Sequence, residues 1–131
     1  MPQPIFFRHL IRTDTFYTFE TMATIFEQIR QRKKPARIFY EDDQVMVIAD
    51  HSPKDRVHLL IIPHEVYPDF YHTPLDVLNT LLSTARMIAD RLGIADHFRL
   101  VINNGYRQEI DHIHVHFLSN RGEDRLTWVE Q

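Results

Sequence analysis

Apolar residues recur at three- and four-residue steps in two places along the chain. Met22, Ile25, Phe26 and Ile29 form the first stripe, the spacing of one helix face. Thr24-x-x-Glu27 fits a capping box, so this helix is expected to start between Thr18 and Thr24 and to end at Pro35. The second stripe is wider: Leu75, Leu78, Leu81, Leu82, Ala85, Ile88, Ala89 and Leu92. Thr73 as N-cap, Pro74 as first helical residue and Gly93 as stop predict a long helix over 74–92. Strand patterns cover most of the remainder. Residues 36–40 and 44–49 flank the turn Glu41-Asp42-Asp43 and suggest a hairpin. A third strand, 57–62, runs into Pro63, and two more, 98–102 and 111–118, lie on either side of the turn Asn103-Asn104-Gly105. Residues 50–56 and 64–72 read as irregular connections. Residues 1–20 lack clean periodicity and suit an extended arm or an edge strand. Helix, three strands, long helix, two strands is an α+β order: about five strands, mainly antiparallel, with the helices expected on one face.

Composition narrows the classes. The 131 residues fit a single domain, with 44% hydrophobic content and a net charge of -3 that exclude a disordered chain. The absence of Cys excludes a disulfide framework, a thiolate nucleophile and a zinc ribbon. No apolar run approaches the ~20 residues of a membrane span. The first residues, Met1 to Arg8, lack the features of a signal peptide, so a cytoplasmic address is expected. The weakly negative charge argues against bulk nucleic-acid binding. A small anionic ligand remains compatible, because local donors outweigh a weak global charge. The cluster Arg30, Arg32, Lys33, Lys34 and Arg37 is expected at the end of the first helix. It reads as a solvated helix end or as a phosphate- or partner-binding patch.

Nine His carry most of the chemical information, and three of them alternate in His112-Ile113-His114-Val115-His116. On a strand these three share one face, leaving Ile113, Val115 and Phe117 for the core. Buried imidazoles need polar partners, so a row of three is hard to explain as core alone. A metal site is one reading, with two His from the row and His58 as a third ligand. However, His112 and His116 lie ~13 Å apart along a strand. Phosphoryl or nucleotidyl transfer is the other reading. A neutral imidazole attacks phosphorus, and a second one donates to phosphoryl oxygens or to a leaving group.

The motif resembles the signature of the histidine triad (HIT) nucleotide hydrolases and transferases. The similarity continues through Ile25-Phe26-x-x-Ile29, Pro35 to Asp43, Asp50-His51-Ser52-Pro53, Val57 to Pro63, Val101 to Gly105 and Gln108 to Asp111. It thus spans residues 24–118, with 1–20 as an N-terminal arm and 119–131 as a C-terminal tail. The resemblance implies that His114 is the nucleophile, attacking the α-phosphorus of a purine nucleotide conjugate to give a nucleotidyl-histidine that water hydrolyses. It implies that His116 contacts phosphoryl oxygens and the leaving group, that His58 assists proton transfer, and that His112 orients its neighbours. Asp50 would accept from the ribose hydroxyls, with Asn103 and Gln108 also on the nucleotide. Ile25, Phe26, Ile29, Ile48 and Leu60 would line the base pocket; by periodicity alone these five read as ordinary core. The family also implies a homodimer, a small nucleotide as partner, no cofactor and no catalytic metal. Adenosine phosphoramidates, aminoacyl-adenylate-like compounds and dinucleoside polyphosphates are candidate substrates. The alternatives are a nucleotide-binding module with little turnover and a His-based metal hydrolase. Two departures bear on specificity: Lys34 replaces an apolar pocket residue, and Glu109 stands where a small hydroxyl often sits. Glu109 would repel a phosphate unless it turned away or paired with Arg107.

Overall fold

A computed structural model describes residues 10–13, 16–19 and 23–131. Its strands are β1 (Leu10–Thr13), β2 (Phe16–Phe19), β3 (Ile38–Glu41), β4 (Val45–Ala49), β5 (Val57–Pro63), β6 (Arg99–Val101) and β7 (Val115–Ser119). The helices are α1 (Ile25–Arg30) and α2 (Leu75–Leu92), and a short 3-10 turn covers Glu123–Arg125. Five strands form one antiparallel sheet in the order β3-β4-β5-β7-β6. Among the described residues, the strands β1 and β2 pair only with each other. The segment 1–20, expected as an arm or an edge strand, therefore contributes a separate two-stranded ribbon, built from β-favouring Thr, Tyr and Phe. Met22, expected on the first helical stripe, lies outside the described residues.

The sheet is apolar on both sides. Val45 and Val47 of β4 face one core with Leu59 and Ile61 of β5, whereas Met46, Ile48, Leu60 and Ile62 face another. The first core takes Leu78, Leu81, Ala85, Ile88 and Leu92 of α2, and the second takes Phe26 and Ile29 of α1. The helices thus lie on opposite faces, not on one as the element order suggested. With two covers, β5 is buried at all seven positions, as expected of a strand with no solvent face.

Element ends depart from the sequence pattern for local reasons. The helix α1 begins at the expected capping box: Thr24 Oγ1 accepts from Glu27 N–H and Glu27 Oε1 accepts from Thr24 N–H. It stops at Arg30, before Pro35. Arg32 turns left-handed (φ 62°), and the Arg32 and Lys33 N–H groups donate to the Ile29 and Gln28 carbonyls, closing a Schellman motif without glycine. Thr73 does not cap α2. Its hydroxyl donates to the Asp69 carbonyl, and Pro74 takes the cap position. Gly93, at φ 70°, ends that helix as expected.

The last strand, expected over 111–118, begins only at Val115. The register Ile61↔Val115 would place Ile113 opposite Pro63, and proline has no N–H to continue the ladder. The Ile113 N–H goes instead to the Tyr67 carbonyl, and the Pro63 carbonyl takes the His112 ring. The polar tail is also used. The Val129 N–H donates to the Ile38 carbonyl at 2.6 Å, and Trp128 meets Phe39 edge-on and Arg37 face-on. This covers the outer edge of β3.

Candidate active site

The α1 face of β5 and β7 carries the chemistry. His58 pairs with Leu118 and His116 with Leu60, so the two histidines are diagonal neighbours on one face. His58 Nε2 and His116 Nδ1 lie 2.9 Å apart. One turn of chain earlier, His114 meets His116 with ring centroids 5.0 Å apart, and Phe26 of α1 stands edge-on to both His112 and His114.

Hydrogen-bond partners assign the ring protons. The Lys54 N–H donates to His58 Nδ1 at 3.1 Å, so neutral His58 carries its proton on Nε2. That proton is directed at His116 Nδ1, with Asp50 Oδ2 further away at 3.4 Å. Neutral His116 then carries its own proton on Nε2. His114 Nδ1 donates to the His112 carbonyl at 2.9 Å, leaving Nε2 with a lone pair. His112 is almost fully buried: Nε2 donates to the Pro63 carbonyl and Nδ1 accepts from the Thr24 hydroxyl at 2.9 Å.

Burial holds these rings neutral. It lowers His58, against the pull of Asp50, and lowers His114, against its bond to the His112 carbonyl and the charges of Asp50 and Glu109. His116 is lowered most, from 6.5 to about 4, by burial first and then by His114 and His58. Each ring binds a proton less readily in the folded than in the unfolded chain. The unfolded state therefore gains more protons as pH falls, and stability drops from about pH 6.5 down to about 4. Urea midpoints measured between pH 7.5 and 4 should fall accordingly, and His116→Asn should flatten the curve. A midpoint constant over this range, or a slope unaltered by the substitution, would contradict the assignment.

A cleft of about 1210 Å3 opens over this face. His58, His114, His116, Asp50, Asn103, Gln108, Ile25, Phe26, Ile29, Ile48 and Leu60 all line it. Of the residues singled out in the sequence, His112 alone stands behind the wall, under His114. Gln108 lines the cleft but spends its amide on the loop. Nε2 donates to the Pro68 and Ile110 carbonyls and Oε1 accepts from the Gly105 N–H. The basic cluster divides. Lys34 and Arg37 reach the cleft, whereas Arg32 pairs with Glu41. Glu109 and Arg107 both line the cleft, and among the described residues they form no ion pair with each other. Sequence reasoning missed Lys54, which gives its backbone N–H to His58, and the bond from Thr24 to His112. Thr24 was visible only as a cap, and Lys54 carried no signal. Among the described residues, Asp50, His58 and His116 offer donor atoms all within 4.8 Å of one another. Two imidazole nitrogens and a carboxylate suit a divalent ion such as zinc, which would replace the His58–His116 bond. No helix among the described residues is long and apolar enough to cross a membrane.

The HIT domain model matches residues 31–123. The purine nucleoside phosphoramidase of Escherichia coli is 38% identical over 104 residues, covering 75% of this chain and 87% of that protein. The adenylylsulfatase HINT1 of Arabidopsis thaliana is 36% identical over 112 residues, covering 80% and 74%. Among solved structures, a HIT family hydrolase from Clostridium thermocellum superposes with a TM-score of 0.70 at 34% identity, covering 73% of this chain and 89% of that one. Matched over this much of its length, and with His114 and His116 of its three alternating histidines on one wall of a cleft, the chain belongs to the HIT family.

Proposed function

We propose that the protein is a nucleotide hydrolase or nucleotidyl transferase that cleaves at the α-phosphorus of a purine nucleotide conjugate through a nucleotidyl-His114 intermediate. One observation carries this reading: His114 presents an unprotonated Nε2 to the cleft because its Nδ1 proton is committed to the His112 carbonyl. The apolar pocket of Ile25, Phe26, Ile29, Ile48 and Leu60 takes the base, and Asp50 accepts from the ribose. His114 Nε2 then forms a bond to the α-phosphorus as the bond to the leaving group breaks. The negative charge of the bound conjugate draws one proton from solvent onto the His58–His116 pair; the departing atom takes a proton from His116 Nε2 as its bond to phosphorus breaks, and the pair returns to its neutral state. Water next attacks the phosphorus and gives a proton to the His58–His116 pair, the phosphorus–nitrogen bond breaks, and a nucleoside monophosphate leaves. Positioning and charge stabilisation provide most of the acceleration in such transfers.

The two named relatives differ in leaving group, an amine from a phosphoramidate in one and sulfate in the other. Phosphoramidates and dinucleoside polyphosphates are both proposed as substrates here. A homodimer joined along β6 accompanies the reading. Among the described residues β6 pairs only with β7, whereas the opposite edge is covered by the tail; sedimentation measures the mass directly.

Single-turnover mixing with an adenosine phosphoramidate at neutral pH tests the chemistry. A transient mass gain of one adenylyl group, unaffected by chelator, is the expected result. Chelator-sensitive turnover without an adduct would move the chemistry to an ion held by Asp50, His58 and His116. Nucleotide binding without turnover or adduct would make the protein a binding module.

A further inference from the structure

We infer that Thr24 is a positioning residue that ties the base-binding helix to the nucleophile. The inference rests on the proposed role of His114. The Thr24 side chain is 6% exposed and is shared between two structures. Its oxygen accepts the Glu27 N–H at 3.2 Å and so caps α1, the helix that supplies Ile25, Phe26 and Ile29 to the cleft. Its hydrogen is donated to His112 Nδ1 at 2.9 Å, across 88 residues of sequence. A hydroxyl can do both at once, because it has one donor and two acceptor positions.

The Pro63 carbonyl only accepts, so it sets the tautomer of His112, and the Thr24 hydroxyl matches that tautomer by donating to Nδ1. With Nδ1 held as an acceptor, the ring proton sits on Nε2 and is donated to the Pro63 carbonyl at the end of β5. His112 is then fixed between α1 and β5. Its backbone carbonyl, the acceptor for His114 Nδ1, is fixed with it. The chain of contacts runs Thr24 hydroxyl, His112 ring, His112 carbonyl, His114 Nδ1. It ends by keeping the lone pair of His114 Nε2 in the cleft. Phe26 reinforces it from the same helix, with ring centroids 5.4 Å from His112 and 5.1 Å from His114. The helix that closes over the base thereby also sets the aim of the nucleophile.

Capping alone and positioning predict different outcomes. Thr24→Val removes both functions of the hydroxyl. Thr24→Asp keeps a good cap but, as a carboxylate, cannot donate to His112 Nδ1. Thr24→Ser keeps both. Glu27→Ala weakens the capping box and leaves the Thr24–His112 bond in place. If Thr24 positions the nucleophile, kcat for adenylyl transfer should fall by up to about 100-fold in Thr24→Val and Thr24→Asp. KM should change little, Thr24→Ser should restore kcat, and Glu27→Ala should stay near wild type.

Imidazole nitrogen NMR gives a readout independent of activity. The wild-type His112 should show the Nε2–H tautomer with Nδ1 hydrogen-bonded, and Thr24→Asp should lose that signature. Should Thr24→Val fail to fold, the capped Thr24→Asp and the wild-type spectrum decide the matter. Thr24→Asp with wild-type kcat, or a wild-type His112 protonated on Nδ1, would overturn the inference. A wild-type protein that shows the tautomer but turns over no nucleotide conjugate would instead overturn the proposed function.

Discussion

His114→Ala should leave a folded, nucleotide-binding protein whose turnover is lower by about 10^4-fold or more, the scale of loss when a nucleophile is removed from a preorganised site. Folding should survive because little of the structure leans on this ring. Among the described residues it makes one hydrogen bond, to the His112 carbonyl, and its removal opens space toward the cleft rather than a closed cavity in either core. The apolar pocket of Ile25, Ile29, Ile48 and Leu60 does not depend on it, so affinity for a nucleoside monophosphate should change only severalfold. The comparison requires kcat from single-turnover rates, Kd by titration and a urea midpoint for the same preparation. Residual activity within tenfold of wild type would remove His114 from the nucleophile role. A parallel collapse of binding and stability would show that the ring is structural.

Much of this architecture can be read along the chain, and the parts that cannot are tertiary in origin. The eight apolar positions of α2 and its Gly93 stop are local signals, and they mark the helix end correctly. The hairpin of β3 and β4 announces itself through Glu41-Asp42-Asp43. The histidine row is legible because alternation fixes which side chains share a face. Its strand, however, begins four residues later than the pattern suggests. The reason is Pro63, some 50 residues away in sequence, which has no N–H to offer opposite Ile113. The two-sided cover of the sheet was equally hidden. Continuous apolar runs such as Val57 to Pro63 fit a strand buried on both faces, but they do not say which helix lies on which side. Ile48 and Leu60 were placed at the ligand by resemblance, since their spacing alone describes ordinary core. Thr24 illustrates the limit best. Its capping role follows from Glu27 three residues on, whereas its bond to His112 exists only once α1 is laid against the sheet.

A substitution at His116 should separate leaving groups in a way that a general loss of activity would not. The Nδ1 of His116 accepts from His58, so the proton it can give stands on Nε2. Burial, His114 and His58 together bring its pKa to about 4, which keeps the ring neutral at pH 7 in the free protein and makes its conjugate acid, formed when the anionic substrate draws a proton onto it, a strong donor. An amine leaving from a phosphoramidate must be protonated as the bond to phosphorus breaks. His116→Ala should therefore cost about 10^2- to 10^4-fold in kcat/KM on an adenosine phosphoramidate, the range for loss of a positioned general acid. Sulfate leaves adenylyl sulfate as a stable anion and needs no proton. On that substrate the same variant should lose about tenfold or less, through the missing contact to phosphoryl oxygen alone. The ratio of the two losses, measured on one enzyme preparation across pH 5 to 8, isolates proton donation from positioning. Equal losses on both substrates would make His116 an electrostatic contact and leave the leaving-group proton to another donor.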